Sequence, residues 1–410
     1  MDTALAHPVT DKERIFSIDV LRGFALLGIL PMNIQSFSMV AAAYWNPTAY
    51  GDLHGANLWV WLLTHVLADS KFVTIFSMLF GAGILLMTDR AEAAGRRPAG
   101  LHYRRMGSLI VFGMLHGYLL WTGDILYAYG MCGLLVYLFR KCQPRTLILA
   151  GLLFMSIAPA ITGANGWSSL QWSSSQFQAN REQIWQPTPV MVERELATMR
   201  SVWITQMGAR IGETLAVETL FFVAWIFWST MGLMLIGMAL FKLGVFSGER
   251  PARFYWSMIA VALFVGIPIT IWGTYRDFAE GWDFRNSFFL GGQHNYWASV
   301  LVSGGWIGAM MLAARVTKLA PLTARLAAVG RMAFTNYIMH TVICTTIFYG
   351  HGLALVGRVE RVGQLAIVLC VWAVQLIVSP SWLRHFHYGP LEWRWRSMTY
   401  MQRAPFRREA

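Results

Sequence analysis

Residues 14–37 read RIFSIDVLRGFALLGILPMNIQSF. The apolar run over 17–40 is long enough to cross a bilayer as a helix, which takes about 20 residues. Asp19 and Arg22 share one face at its start, three residues apart. Pro31 loosens the helix just before Asn33. Asn33 stands eleven residues, about 16 Å, beyond Arg22. The run is too long for a cleavable signal and no A-x-A-like site follows, so this span is expected to stay in the protein.

The rest of the chain has the same character. Of 410 residues, 56% are hydrophobic and 13% charged, against roughly 25% charged in a soluble domain. Mean hydropathy is +0.46. So few charges cannot cover that much apolar surface in water, and disorder, a collagen-like chain and a disulfide scaffold are excluded. The fold class is therefore all-α, a polytopic membrane helix bundle. About ten spans are expected, at 17–40, 57–87, 106–121, 124–139, 146–162, 219–241, 254–273, 295–314, 331–349 and 362–379. The second is interrupted by Asp69-Ser70-Lys71. Read as two half-helices, it would bring the total to eleven.

The net charge of +12 sits in short clusters between apolar runs, not along one soluble face, so no nucleic-acid partner is expected. With both termini placed in the cytoplasm, 23 basic residues, from Lys12 to Arg408, fall in inner segments and eight in outer ones. That asymmetry predicts an N-in, C-in orientation. The division expected is a five-span bundle over 1–162, an outer loop over 163–218, a second five-span bundle over 219–380 and a cytoplasmic tail over 381–410. The outer loop's second half, Pro189 to Ala216, has the spacing of one amphipathic helix. The tail interleaves Trp382, Trp393 and Trp395 with Arg384, Arg394 and Arg396, a composition that anchors at a membrane interface. Cys132, Cys142, Cys344 and Cys370 form no CxxC and have no histidine at zinc spacing, so no metal is expected.

Ionisable groups at membrane depth are costly unless paired, which makes them the first functional candidates. His65 and Asp69 share a face, with Lys71 close by in the interruption of the second span. A polar break of that kind lines a cavity or packs into protein. His116 lies in the third span and Asp124 just past the turn Trp121-Thr122-Gly123. A carboxylate beside a histidine fixes its tautomer and raises its basicity. Asn336 and His340 share a face of the ninth span and read as an interhelical hydrogen-bonding pair. Gly113 and Gly117 read as a packing motif.

Several strings together resemble the YeiB-like family of bacterial inner-membrane proteins, a domain of unknown function. They are residues 14–37, DSKFVTIFSMLFGAGI (69–84), GMLHGYLLWTGDILYAYGMCG (113–133), GRMAFTNYIMHTVICTTIFYGHGL (330–353) and SWLRHFHYGPLEWRWRSMTY (381–400). That family is similar in turn to transmembrane acyltransferases, among them the heparan-α-glucosaminide acetyltransferase and the sugar O-acyltransferases. Their first span also carries an acidic residue before x-R-G, here Asp19, Arg22 and Gly23. The sugar enzymes place a histidine where this chain has Asn33. The heparan enzyme has an asparagine there and a catalytic histidine about eleven residues further on, where this chain has Tyr44. The nearest outer histidine is His54. A late N-x-x-x-H feature is matched by Asn336 and His340.

The resemblance implies transfer of an acyl group from a cytoplasmic acyl-CoA, as co-substrate, to a hydroxyl or amine on the outer side. The acceptor would be a small molecule, a glycan or a lipid. Arg22, Arg104, Arg105 and Arg331 would hold the CoA phosphates. His116 with Asp124 would be the base, and Asn33 or Lys71 would stabilise the oxyanion. Two alternatives stay open. One is a transporter or channel for a small solute or lipid, using Lys71, Asp69, His65 and His116. The other is a non-catalytic scaffold or sensor. The partners expected are the lipid bilayer and the acceptor, with a homo-oligomer left open.

Overall fold

The computed structural model describes residues 14–408; Lys12 lies outside them. Eighteen α-helices follow in order: α1 Phe16–Ser38, α2 Ala42–Trp45, α3 Gly55–Leu67, α4 Lys71–Ala93, α5 Pro98–Leu119, α6 Leu126–Val136, α7 Pro144–Ser168, α8 Ser174–Asn180 and α9 Pro189–Met199. Then come α10 Trp203–Ala216, α11 Phe227–Lys242, α12 Ala252–Val261, α13 Ile267–Ala279, α14 Gly292–Ala313, α15 Ala320–Arg331, α16 Ala333–Phe348, α17 Arg361–His385 and α18 Pro390–Tyr400. No sheet forms among the described residues.

Seven helical stretches are long and apolar enough to cross a bilayer: 16–38, 55–93, 144–171, 203–242, 252–279, 284–313 and 361–385. The other three expected spans are the helices α5, α6 and α16. α5 carries Arg104 and Arg105 within its length, and α6 and α16 are shorter, with 11 and 16 residues. A short helix is tolerated at membrane depth when protein surrounds it, and α6 is clamped between α5, α4 and α11. The break at Ala68-Asp69-Ser70 separates α3 from α4 within one apolar stretch. Ser70 takes a positive φ of 64° there.

Two further departures have local causes. The amphipathic helix expected over Pro189–Ala216 is two helices, α9 and α10, parted at Arg200-Ser201-Val202. Arg200 turns its guanidinium onto the Val356 carbonyl, 2.7 Å from Nη2, and Gln206 picks up the carbonyls of Met199 and Ser201 freed by the break. α10 then runs into α11 through a π-helical segment, Val217–Ile226, and π turns also precede α13 and α14. An extra residue per turn rotates the apolar stripe without ending the helix.

α1 is the central helix. In its most apolar stretch 72% of residues are buried, against 22% in 144–171 and 252–279, which form the lipid-facing periphery. α1 packs on α15, α16 and α17 on one side and on α4 and α14 on the other, so the two halves share one core. The seat on α15 is a backbone contact. A Cβ on Gly23 would land on the Leu326 carbonyl, and a Cβ on Gly330 would land on the Asp19 carbonyl. A second reciprocal contact joins α4 to α11, where Gly81 faces the Met234 carbonyl and Gly237 the Met78 carbonyl. Close backbone approach at small residues is how helices associate where lipid removes the hydrophobic drive.

α9 caps the end of the bundle remote from Arg22. Its Glu195 accepts a 2.7 Å hydrogen bond from Ala41 N–H. Burial pushes the Glu195 carboxyl up to about 7, with Glu213 adding to the shift and the Ala41 bond opposing it.

Gly23→Leu is expected to force α1 off α15 and cost about 1–3 kcal/mol or more, read as a lowered unfolding midpoint in lipid nanodiscs. Gly208→Ala, where a Cβ meets nothing within 4 Å, should leave the midpoint unchanged or slightly raised. A raised pKa favours the protonated carboxyl in the folded state. The docking of α9 is therefore strongest below the ordinary glutamate range and weakens as pH rises through about 7. Hydrogen exchange over 189–203 should speed up between pH 5 and 8, beyond the intrinsic pH effect. Glu195→Gln should remove that excess.

Candidate functional site

The seat of α1 on α15 brings Asp19, Arg22 and Arg331 to one end of the bundle. Arg22 donates to Asp19 Oδ1 at 3.1 Å, and Arg14 lies 3.6 Å from Asp19 Oδ2. The end of α4 and the start of α5 add Arg90, Arg96, Arg97, Arg104 and Arg105. These arginines, with Arg396 of α18, surround the mouth of a cavity of about 1460 Å³. Nine arginines line it against two carboxylates, Asp19 and Glu392.

α18 is the wall on the tail side, and Glu392 holds it there. Its Oε1 accepts from Phe334 N–H at 2.6 Å and Thr335 N–H at 3.0 Å, and its Oε2 accepts from the Thr335 hydroxyl. These are the first free N–H groups of α16, where a negative charge is also favoured by the helix dipole. Burial nonetheless pushes the Glu392 carboxyl above its usual range. Arg104 Nε donates to the Thr399 carbonyl at 3.1 Å, and the Arg105 guanidinium lies 4.6 Å over the Trp395 ring. The expected interfacial tail thus folds back onto the bundle and completes a chamber.

Beyond the arginines the cavity turns apolar and ends at Ile29, Phe76, Ile125, Leu126, Tyr129 and Tyr337. Directly behind that end lies the expected pair. His116 Nδ1 is 2.7 Å from Asp124 Oδ1, and His116 Nε2 is 2.9 Å from the hydroxyl of Thr341. Asp124 Oδ2 also accepts from Tyr127 N–H at 2.7 Å, which starts α6. A Cβ on Gly113 would strike Tyr127 N, so that glycine lets the α5–α6 hairpin close on the carboxylate. With the Nδ1–H donated to the Asp124 carboxyl, Nε2 is the acceptor that faces the Thr341 hydroxyl. His116 is 2% exposed. The Tyr337 ring, 5.2 Å from the imidazole centroid to centroid, stands between it and the cavity.

The other sequence candidates lie elsewhere. Lys71 donates to the His65 carbonyl at 2.8 Å and to Asn295 Oδ1, while Asn295 Nδ2 donates to Asp69 Oδ2 at 2.8 Å. His65 Nδ1 sits 3.0 Å from the same oxygen. This network staples the α3–α4 break to α14 and does not line the cavity. Asn33 lies one turn past Ile29 on α1, half-buried, and is not among the lining residues. Asn336 donates to Ser379 Oγ at 3.0 Å, and His340 Nε2 lies 2.9 Å from Gln375 Oε1, so both tie α16 to α17. His54 sits exposed in a loop beside Asp52. The sequence reading had no signal for Thr341, 225 residues from His116, or for Glu392 inside a basic tail. Tyr337 and Thr341 sit four apart on α16 and do share a face.

The bundle, its buried polar pairs and its arginine-ringed chamber define a polytopic helical membrane protein. A family model described as a protein of unknown function, DUF418, matches residues 240–402. YeiB of Escherichia coli (strain K12), an uncharacterized protein, is 31% identical over 405 residues, covering 96% of this chain and 98% of its own. YxaH of Bacillus subtilis (strain 168), also uncharacterized, is 30% identical over 419 residues, 97% of each chain. An uncharacterized 39.9 kDa protein of Bacillus acidopullulyticus is 28% identical over 404 residues, 97% of each. The chain belongs to this YeiB-like DUF418 family.

Asp124→Ala should cost about 3 kcal/mol, because it strips a buried imidazole and the Tyr127 N–H of their partner. Thr341→Val should cost less, about 1–2 kcal/mol. Unfolding midpoints in nanodiscs test the order.

Proposed function

We propose that the protein is a membrane-embedded acyltransferase of the bacterial inner membrane, with both termini cytoplasmic, that draws an acyl group from acyl-CoA. The observation that carries this reading is the charge of the chamber mouth. Nine arginines facing two carboxylates in one cavity make a site for a polyanion, and guanidinium forks suit phosphate oxygens. Arg22, Arg104, Arg105 and Arg331 are among them, and Arg396 joins them with a buried Nη1 that has no hydrogen-bond partner.

Along α4 the wall runs from Arg90 up to Phe76, fourteen residues or about 21 Å. That is room for a pantetheine arm, and it sets the thioester beside Tyr337 and Ile125. The acceptor oxygen or nitrogen attacks the thioester carbonyl, the C–S bond breaks and CoA leaves as the thiolate. The acceptor's proton passes to His116, whose tautomer Asp124 fixes, once the Tyr337 ring that separates the imidazole from the chamber swings aside. The Tyr337 hydroxyl, which donates to the Gly123 carbonyl at 3.4 Å, turns from that carbonyl to the oxyanion. This replaces Asn33 and Lys71 in that part, since neither lines the chamber. The transporter alternative would rest on the Lys71 network, whose groups are bonded to one another and to α14.

Free CoA and acyl-CoA should stabilise the nanodisc protein in a saturable way, by about 2.7 kcal/mol at a hundred times Kd, read as a raised unfolding midpoint. The double substitution Arg22→Gln and Arg105→Gln should shift that saturation to at least tenfold higher ligand. A well-folded sample with no response to millimolar CoA would end this reading.

A further inference from the structure

Above the arginines the chamber wall changes character. α4 presents Phe76, Phe80, Gly83 and Met87 to it, at the three- and four-residue spacing of one helical face. Leu109 and Leu126 close it from α5 and α6. Apart from two tyrosines, no titratable side chain lines this part. Gly83 sits in the middle of the stripe. A Cβ built there meets nothing within 4 Å, whereas Gly81 on the adjoining face presses on α11. Packing does not demand a glycine at 83; the empty space in front of it belongs to the chamber. The total volume, about 1460 Å³, exceeds the roughly 300–1,000 Å³ of sites for drug-sized ligands. Phosphate-binding charge at one end and about 16 Å of hydrocarbon wall above it, from Met87 to Phe76, match one kind of molecule.

We infer that the chamber binds a long-chain anionic amphiphile, with its phosphate-bearing head among the arginines and its hydrocarbon chain along the Phe76–Met87 face. Gly83 is the residue that makes room for the chain. Applied to the acyltransferase reading, on which the identity of the head rests, the pantetheine arm takes the α1 side of the chamber, past Arg22 to Ile29, the acyl chain turns back from the thioester along the α4 face, and the donor carries a medium or long acyl chain rather than acetyl. A single-chain phospholipid offers the same chemistry, and the test separates the two sources.

The protein is held in phosphatidylcholine nanodiscs, which avoids detergent in the chamber. Affinities are measured for free CoA, acetyl-CoA, octanoyl-CoA and lysophosphatidic acid, on wild type and on Gly83→Phe. Gly83→Leu serves as the second variant should the phenylalanine prevent folding. A fully buried methylene is worth a factor of roughly 4. Octanoyl-CoA is therefore expected to bind at least about tenfold tighter than acetyl-CoA. Gly83→Phe should bring octanoyl-CoA down to the affinity of free CoA and leave free CoA itself unchanged. A flat chain-length series overturns the inference, as does a Gly83 variant that weakens all CoA species equally. Binding of lysophosphatidic acid alone, lost in Gly83→Phe, would uphold the chamber's chemistry while removing acyl-CoA as its ligand.

Discussion

The backbone contact between α1 and α15 is the constraint on which the remaining geometry depends. Gly23 and Gly330 let two helices touch carbonyl to Cα, and each glycine is next in sequence to an arginine, Arg22 and Arg331. Bringing the backbones together therefore brings the cations together. That repulsion is softened by Asp19, which takes Arg22 and Arg14 on its two oxygens. The acidic residue, the arginine and the glycine of the first helix thus act as one unit: one lets the helices approach, one supplies charge, and one makes the charge tolerable. α16 starts three residues past Gly330, and Glu392 on its first N–H groups brings in α18. The cavity mouth is built by this sequence of attachments.

Away from the mouth, the bilayer imposes the opposite rule. Polar side chains of the core form crosslinks between distant parts of the chain. Lys71 and Asp69 meet Asn295, His116 meets Thr341, His340 meets Gln375, and the Trp372 indole donates to the Leu27 carbonyl. In lipid there is no water to accept an unmade bond, so these pairs specify which helices meet and in what register. The arginines of the mouth are the contrast, a concentration of one sign of charge on a surface left open.

The sequence reading reached the all-α class, the break at 69–71 and the His116–Asp124 pair, because each rests on a local pattern: an apolar run, a polar interruption, a turn of four residues. It also gathered Arg22, Arg104, Arg105 and Arg331, since basic clusters at span ends mark one face of the membrane. It placed Lys71 and Asn33 by depth alone, and depth says nothing about azimuth. Lys71 points to α14, and Asn33 lies a turn beyond the chamber. The amphipathic segment 189–216 satisfied a single helical period in sequence, but Arg200 found a carbonyl 156 residues away and ended the helix there. Glu392 was hidden among arginines and tryptophans whose composition suggested only an interface anchor. What it bonds to, the start of α16, is set by tertiary structure.

The Gly23–Gly330 contact also has a history within each molecule's synthesis. The partner of the first membrane helix is made 307 residues after it, which at ribosomal speeds of about 5–20 residues per second is a wait of roughly 15 to 60 s. During that time the groove on α1, with Arg22 and Asp19 beside it, has no mate. Neighbouring helices can insert as hairpins, but this seat has to be kept clear by the bilayer or by an assembly factor until α15 arrives.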